Sequence, residues 1–298
     1  MNRASTPWLF LAPALALVAA VTLYPFAYSL IISFQDVELT RLSEGRFVGL
    51  DNYVELLGDP AFHVSLELSL IYVAGSVVGS LVLGFALALL MNQELHGMVI
   101  FRSLLIVPMV VTPVSIGLTW RMMYSDQTGV INALLGALGL PRPLWIESPD
   151  SALYSVILVD IWEWTPFMFL LLLAGLRSLP VSPFESAKVD GANAWQRFWY
   201  LTVPMMRPVI AVAVILRAVD ALRIFDQVFI MTRGGPAQAT DLFSLFVYRT
   251  GFKHSHISYA AALSWVLLLA SSILLVLFVR RTGVFRTEAK PAAETSAV

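Results

Sequence analysis

The chain has 298 residues, of which 58% are hydrophobic and 13% are charged, against roughly 25% charged in ordinary soluble domains. The formal net charge is −1 and no basic patch carries interleaved aromatic residues, so nothing indicates a nucleic-acid partner. The chain has no cysteine, which excludes a disulfide framework and thiolate metal or redox chemistry. Long uncharged runs recur along the sequence, and together with this composition they predict a membrane protein.

The first apolar run extends from Trp8 to Phe34 and is broken only by prolines and small hydroxyl residues. Ala-x-Ala patterns near Leu17 would suit a cleaved signal peptide, but the run continues well past them, which favours an uncleaved span. Residues 35–65 are polar and rich in acids. We therefore expect residues 1–65 to form an N-terminal transmembrane helix followed by an external loop.

Five further apolar runs are each long enough to cross a bilayer. They cover about 66–91, 98–124, 152–176, 205–232 and 259–279. The predicted fold class is therefore an all-α membrane protein with six transmembrane helices. Residues 66–285 are expected to form the membrane core with five of these helices, and the polar 286–298 segment is expected to be a disordered cytoplasmic tail.

Small residues and prolines interrupt two of the spans. Gly75-x-x-x-Gly79 in the second span allows close approach of another helix and predicts a packing seam. Pro108 and Pro113 in the third span each free a carbonyl, which is tolerated only against protein or a water-filled path. The following loop, 125–151, contains an amphipathic stretch that we expect to lie in the membrane interface. Its apolar residues are Ile131, Leu134, Leu135 and Leu138.

The distribution of lysine and arginine predicts the orientation. With the N-terminus inside, the cytoplasmic basic residues are Arg3, Arg102, Arg177, Lys188, Arg197, Arg280, Arg281, Arg286 and Lys290. The external ones are Arg41, Arg46, Arg142, Arg233, Arg249 and Lys253. The long 35–65 loop weighs little in this comparison, so both termini and the segment between spans four and five are predicted to be cytoplasmic.

Span five carries charges inside the apolar run, each of which costs roughly 2.5–3.5 kcal/mol at the bilayer centre on insertion scales. The charges alternate in sign at three-residue intervals: Arg217, Asp220, Arg223 and Asp226. Neighbours in this series are adjacent on a helix and can neutralise one another. A ladder of internal ion pairs and a solute-binding surface are both compatible with this pattern.

Span four carries a second polar cluster: Asp160, Trp162, Glu163, Trp164, Thr165 and Pro166. Asp160 and Glu163 share a helix face, and Pro166 removes the partner of the Trp162 carbonyl. Acidic acceptors, a free carbonyl and flat aromatic faces together suit a polyhydroxylated ligand. The alternative is that both tryptophans are anchors at the membrane interface.

The longest polar-rich segment, 182–204, lies between spans four and five. Ser182 is predicted to be the N-cap of a helix, with Pro183 at the first helical position and Glu185 three residues after the cap. Asp190-Gly191 either closes this helix or leaves a bare backbone spot where another surface can approach. A short helix held between two spans has no core of its own, so we expect a docking element; an ordinary amphipathic surface helix is the alternative.

This segment resembles the cytoplasmic coupling loop of ABC importer permeases, whose pattern runs E-A-A, three residues, G, then a distal P. The residues that carry the resemblance are Glu185, Ser186, Ala187, Asp190, Gly191 and Ala192, followed by Phe198 and Pro204. Ser186 stands where the family usually has alanine. The stretches Phe47–Tyr53, Trp164-Thr165-Pro166-Phe167 and Gly234-Gly235-Pro236 are similar to the carbohydrate branch of the same family.

The resemblance implies a bacterial inner-membrane permease that forms half of a pathway for a sugar or sugar-like solute. It also implies three partners: a second permease, a pair of ATPase subunits that bind ATP and magnesium, and a periplasmic or lipid-anchored solute-binding protein. Solute contacts are expected from residues around 162–167 and 217–224. The candidates are Trp162, Glu163, Trp164, Thr165, Phe167, Arg217, Asp220 and Arg223.

The chain lacks a Gly-x-x-x-x-Gly-Lys-Ser/Thr loop, so we expect neither ATP hydrolysis nor a bound cofactor in this chain. His254-Ser-His256 is too little for a metal site, and no histidine falls within a span, which argues against a membrane-embedded hydrolase. The remaining rival is a secondary transporter that couples through Asp160, Glu163, Asp220 or Asp226. Such folds show inverted repeats, and no convincing repeat is visible here.

The solute itself stays open. Disaccharides, monosaccharides, polyols and glycerol phosphate all fit this pattern, and Arg217 and Arg223 leave an anionic sugar derivative possible because guanidinium pairs well with phosphate or sulfonate.

Overall fold

A computed structural model describes residues 6–41, 45–92 and 98–282, and most of these residues are helical. The predicted 286–298 tail lies outside the described residues. The helices are α1 (Thr6–Val18), α2 (Tyr24–Ser33), α3 (Asp51–Gly58), α4 (Pro60–Met91), α5 (Met98–Val110), α6 (Pro113–Met123), α7 (Val130–Ala137), α8 (Pro149–Arg177), α9 (Ser182–Val189), α10 (Ala194–Arg197), α11 (Val203–Ala221), α12 (Asp226–Met231), α13 (Phe243–Tyr248) and α14 (Ile257–Thr282).

The loop after α2 contains two short strands, β1 (Gln35–Asp36) and β2 (Arg46–Phe47), which pair antiparallel. Asn52 of α3 donates hydrogen bonds to the carbonyls of Ser33 and Gln35. Tyr259 of α14 donates to Asp59 at the start of α4. These contacts tie the first loop to both the first and the last long helix.

Within the described ranges, five helical runs are long and apolar enough to cross a membrane. They are Phe10–Ser33, Pro60–Met91, Pro149–Arg177, Ala194–Ala221 and Ile257–Arg280. The predicted third span is broken: α5 and α6 meet at 95°. Pro113 opens α6, and Thr112 before it is extended, as a residue preceding proline prefers. Six spans are reached only when this bent pair counts as one.

The most buried of the long helices is α8, which packs along α4. Gly75 and Gly79 of α4 lie against Ile157 and Ile161 of α8. A Cβ atom on Gly84 would lie 2.6 Å from the Cβ of Met168, a separation that real side chains do not reach. The packing seam predicted from the small residues is therefore confirmed, because they let the two backbones approach.

The predicted bounds of the fifth span, 205–232, are wrong at both ends. The helical run begins earlier, at Ala194, and stops at Ala221. The chain then turns and continues as the separate α12, whose Ile230 packs on Gly117 of α6. The Ser244 hydroxyl donates to the Ile224 carbonyl, so it satisfies a backbone acceptor that the helix break exposes.

Helix α7 has the predicted amphipathic character. Leu134 and Leu138 are exposed, whereas Asn132 is buried and accepts a hydrogen bond from the Trp145 indole at 2.9 Å. Its location in the membrane interface stays a prediction.

Candidate functional site

Arg217 is the largest of the described side chains that are fully buried, with 1% of its surface exposed. Its Nη2 forms an ion pair with Asp160, and its Nη1 donates to Oδ2 of Asp220 at 2.9 Å. The guanidinium lies over the Trp164 ring, 4.9 Å from the ring centroid. Helix α8 supplies Asp160 and Trp164, and α11 supplies Arg217 and Asp220. We call these four residues, with Glu163, the Arg217 cluster.

The carboxylates of this cluster differ in exposure. Asp160 is fully buried and Glu163 is 3% exposed, whereas 45% of the Asp220 side chain is exposed. A buried guanidinium is stable inside a helix bundle only when a carboxylate pairs with it, because an unpaired charge there is strongly destabilising. Asp160 therefore holds Arg217 in place, and Asp220 offers an acceptor that solvent or a solute can reach.

Buried atoms of the cluster that form no hydrogen bond within the described part of the chain include Oε2 of Glu163 and Nε of Arg217. The buried Tyr72 hydroxyl lies beside Asp160 and the Ser76 hydroxyl. Tyr72 of α4 interacts electrostatically with both Asp160 and Arg217. The junction of α4, α8 and α11 is thus polar although all three helices are apolar overall. In the sequence, Ser76 is visible only as one member of the small-residue stripe that predicts the packing seam, and no local pattern marks Tyr72 as a neighbour of this cluster.

Aromatic residues flank the cluster on α8. Trp164 packs edge-on against Phe167, with ring centroids 5.9 Å apart, and Trp162 packs against Trp120 of α6 at 5.3 Å. The Trp162 side chain is 43% exposed. The Thr165 hydroxyl donates to the Ile161 carbonyl of its own helix at 2.6 Å. The Thr165 hydroxyl proton is therefore already used in a hydrogen bond within α8.

The structure brings Glu163, Trp164, Arg217 and Asp220 together, and in the described part of the chain no ion pair joins Arg223 to this cluster. Arg223 follows the end of α11, is exposed, and donates to the Val219 carbonyl at 3.3 Å. The Arg217–Asp220 rung of the predicted charge ladder is confirmed. The ladder does not continue, because the helix ends at Ala221, and no ion pair among the described residues joins Arg223 to Asp226.

The segment between α8 and α11 begins with α9. Ser182 is its first helical residue and not its N-cap, so the predicted cap is wrong by one position. Val181 already has helical dihedral angles, and its carbonyl accepts from the amides of Phe184 and Glu185. Pro183 is consequently at the second helical position.

Gly191 closes α9 and also leaves open space, so both predicted roles of Asp190-Gly191 are present. The amide of Ala192 donates to the Ala187 carbonyl and that of Gly191 to the Lys188 carbonyl, the pattern of a Schellman C-terminus. Gly191 has φ +80°, and a Cβ there would meet no atom within 4 Å. The left-handed backbone favours glycine, and the empty surroundings allow another surface to approach.

After Gly191 the chain forms α10, whose N-terminus is a reciprocal capping box between Asn193 and Gln196. The Phe198 ring packs against Phe85 of α4, with centroids 5.6 Å apart. Trp195 and Tyr200 remain exposed. The segment is therefore anchored to the helix bundle on one side and presents α9 and Gly191 on the other.

The long apolar helices are those of a multi-pass membrane protein. The family described as the inner membrane component of binding-protein-dependent transport systems matches residues 68–284, and the chain belongs to this family. Its members are permease subunits and not enzymes, and a separate subunit hydrolyses ATP. The chain is thus a transport subunit of the inner membrane.

Two relatives and one solved structure illustrate the relationship. The chain is 40% identical over 265 residues to a probable ABC transporter permease protein, y4oQ, of Sinorhizobium fredii, covering 89% of this chain and 85% of that protein. It is 36% identical over 247 residues to the trehalose/maltose transport system permease protein MalF of Thermococcus litoralis, covering 83% of each. Its fold matches a chain of a bacterial ABC transporter that imports the acidic polysaccharide alginate, with a TM-score of 0.82, 22% identity and coverage of 96% and 98%.

Proposed function

We propose that this chain forms half of the translocation pathway for a sugar or sugar-like solute, which an external binding protein delivers. The observation that carries the proposal is the Arg217 cluster: buried and half-exposed carboxylates beside an indole, between two long apolar helices. Carboxylates accept hydrogen bonds from hydroxyls, and indole faces pack against the apolar faces of sugar rings. The similarity to a trehalose/maltose permease supports a carbohydrate as the solute.

In the proposed solute site, Glu163 and Asp220 accept hydroxyls of the solute. Trp162 and Trp164 supply stacking faces, Phe167 and Thr165 complete the wall, and Arg223 is an orienting donor at the exposed edge. Arg217 positions two of these residues, because its guanidinium binds Asp220 and packs on the Trp164 ring.

The proposed partners are a second permease, a pair of ATPase subunits and a periplasmic or lipid-anchored solute-binding protein. ATP and magnesium belong to the ATPase subunits. The coupling surface is formed by Glu185, Ser186, Ala187, Asp190, Gly191 and Ala192. Its exposure, the open space at Gly191 and the anchoring of the segment to α4 through Phe198 support this role.

Copurification from the native host tests these partners. We expect an affinity-tagged chain to bring down a permease of similar size, an ATPase and, in the presence of crosslinker, a solute-binding protein that can then be screened against sugars, polyols and sugar phosphates. Recovery of the chain as a homodimer without an ATPase would favour the secondary transporter instead.

The proposed topology has six spans, with α5 and α6 together forming the third. Both termini and α9 are cytoplasmic, and residues 35–65, 125–151 and 233–257 are external. Residues 1–65 form the first span and loop, and 66–285 form the permease core. With α5 and α6 counted as one span, three spans separate the 35–65 loop from α9, and the proposal therefore assigns these two regions to opposite sides.

Single cysteines test this topology, because the chain has none of its own. Val54, Val189 and Phe252 are all exposed, so a cysteine at each position is accessible to a reagent and does not open a cavity in the core. We expect an impermeant thiol reagent to label positions 54 and 252 in intact cells and position 189 only after permeabilisation. Labelling of position 189 but not of position 54 in intact cells would invert the orientation.

A further inference from the structure

Helices α8 and α11 flank the coupling segment in the chain and also contact each other inside the bundle. Near their cytoplasmic ends, a Cβ atom on Gly175 would lie 2.8 Å from Cγ1 of Val209 and 2.9 Å from Cε of Met206. Farther along both helices, the Asp160–Arg217 ion pair joins them again. Helices α8 and α11 are therefore held together at two points, one near the coupling segment and one deeper in the bundle.

The two carboxylates that bind Arg217 are not equivalent. Asp160 is fully buried, so separating it from Arg217 would strand two charges in the interior of the bundle, which is the arrangement that buried ion pairs resist most strongly. Asp220 is 45% exposed and can exchange Arg217 for water or a solute hydroxyl at much lower cost. Asp160 thus has the properties of a permanent partner and Asp220 those of an exchangeable one.

We propose that the Asp160–Arg217 ion pair is a clamp that makes α8, the coupling segment and α11 move as one body. Asp160 is then a positioning residue for transport, since it acts through Arg217 and lies too deep to touch the solute. The proposal rests on the proposed docking of α9 on an ATPase. Movement of α9 reaches the solute site through both flanking helices at once, provided that they cannot slide past each other. Without the clamp, either helix can yield separately and the movement is lost before it reaches Glu163 and Asp220.

The test uses the assembled importer in proteoliposomes, with loaded binding protein and ATP, and compares wild type with Asp160→Asn. The readout is the number of ATP molecules hydrolysed per solute imported. We expect this ratio to rise by roughly fivefold or more, the lower end of ordinary coupling between sites, while the concentration of loaded binding protein that half-saturates ATP hydrolysis stays unchanged.

Asp241→Asn is the matched control. Asp241 is also a buried acid and forms an ion pair with Arg249 at 2.6 Å. These two residues lie just before and just after α13, so their ion pair does not join the helices that flank α9. The Asp241→Asn substitution removes the same chemical group as Asp160→Asn, so a general effect of losing a buried ion pair appears in both variants. The clamp predicts that the ratio of ATP to solute is normal in Asp241→Asn.

A disulfide provides the rescue. A Cβ atom on residue 175 would lie 2.8 Å from Cγ1 of Val209, which is about the position that Sγ of a cysteine at 209 would take, so the two side chains are within reach of a disulfide. In Asp160→Asn carrying Gly175→Cys and Val209→Cys, oxidation should restore the wild-type ratio and reduction should abolish the restoration. Where Asp160→Asn fails to assemble, Asp160→Asn with Arg217→Gln removes both charges of the ion pair, so that neither is left facing a neutral partner, and the same oxidation test applies.

A normal ratio in assembled Asp160→Asn, or no recovery on oxidation, overturns the clamp. An equal rise in Asp241→Asn also overturns it, because the effect would then be one of stability alone. Failure of the proposed function is distinguishable, since the wild-type importer would then show no ATP hydrolysis that depends on the binding protein.

Discussion

Gly191→Trp is expected to abolish the stimulation of ATP hydrolysis by loaded binding protein while the helix bundle still assembles. Gly191 has φ +80° and no atom within 4 Å of the position of a Cβ. The indole therefore projects into space that we assign to the ATPase, and it does not disturb the packing of this chain. A left-handed backbone costs a residue other than glycine roughly 1–2 kcal/mol, which is small against the loss of a docking surface.

Gly139→Trp is the control for that strain. Gly139 also has a left-handed backbone, with φ +70°, and open space around it, but it follows α7 in the loop assigned to the external side. Stimulation in the assembled complex is measured for both variants, with thermal stability as the check on folding. Normal stimulation and uptake in Gly191→Trp, or equal losses in the two variants, would contradict the docking role of α9.

Glu163→Gln and Asp220→Asn are expected to lower solute transport by about five- to 150-fold, because a solute hydroxyl left unpaired in the occupied site, from which the solute displaces water, costs roughly 1–3 kcal/mol. Both carboxylates belong to the Arg217 cluster, and Asp220 is its exposed acceptor. Uptake is corrected for the amount of assembled complex. The affinity of the external binding protein for the solute should not change, since that protein is untouched.

Asp226→Asn is a matched control, because Asp226 is an exposed acid at the start of α12, beyond the helix break. Thermal stability of the assembled complex separates a solute site from simple charge balance, because the charge that Asp220 balances is that of Arg217. If Asp220 only balances charge, Asp220→Asn lowers stability together with transport; loss of a solute acceptor lowers transport at unchanged stability. Wild-type rates and half-saturation in Glu163→Gln and Asp220→Asn would locate the sugar path elsewhere in the bundle.

Local patterns in the sequence predict the features that depend on near neighbours. The Gly75–Gly79 spacing was sufficient to predict the α4–α8 seam, because the small residues themselves create the close approach. The Asp190-Gly191 pair predicts the end of α9, since a left-handed C-terminus needs glycine. Ser182 shows the limit of such patterns, because Val181 adopts helical angles that no side-chain preference forbids.

Features that depend on distant contacts could not be predicted. The apolar pattern runs on through Ile224 and Phe225, so nothing local marks the end of α11 at Ala221; the packing of α12 on α6 decides it. Asp160 and Arg217 are 57 residues apart, and their pairing depends on how α8 and α11 are rotated against each other. The sequence therefore shows which charges lie in the membrane but not which of them pair.

Uptake by the reconstituted importer tests the central claim most directly, because it separates an ATP-driven permease from an ion-coupled transporter. Proteoliposomes containing this chain, its partner permease and the ATPase are supplied with labelled solute and loaded binding protein. Uptake should require ATP inside the vesicles and the binding protein outside, and a pH gradient alone should drive none. Uptake that follows the pH gradient in ATP-depleted vesicles would contradict the account.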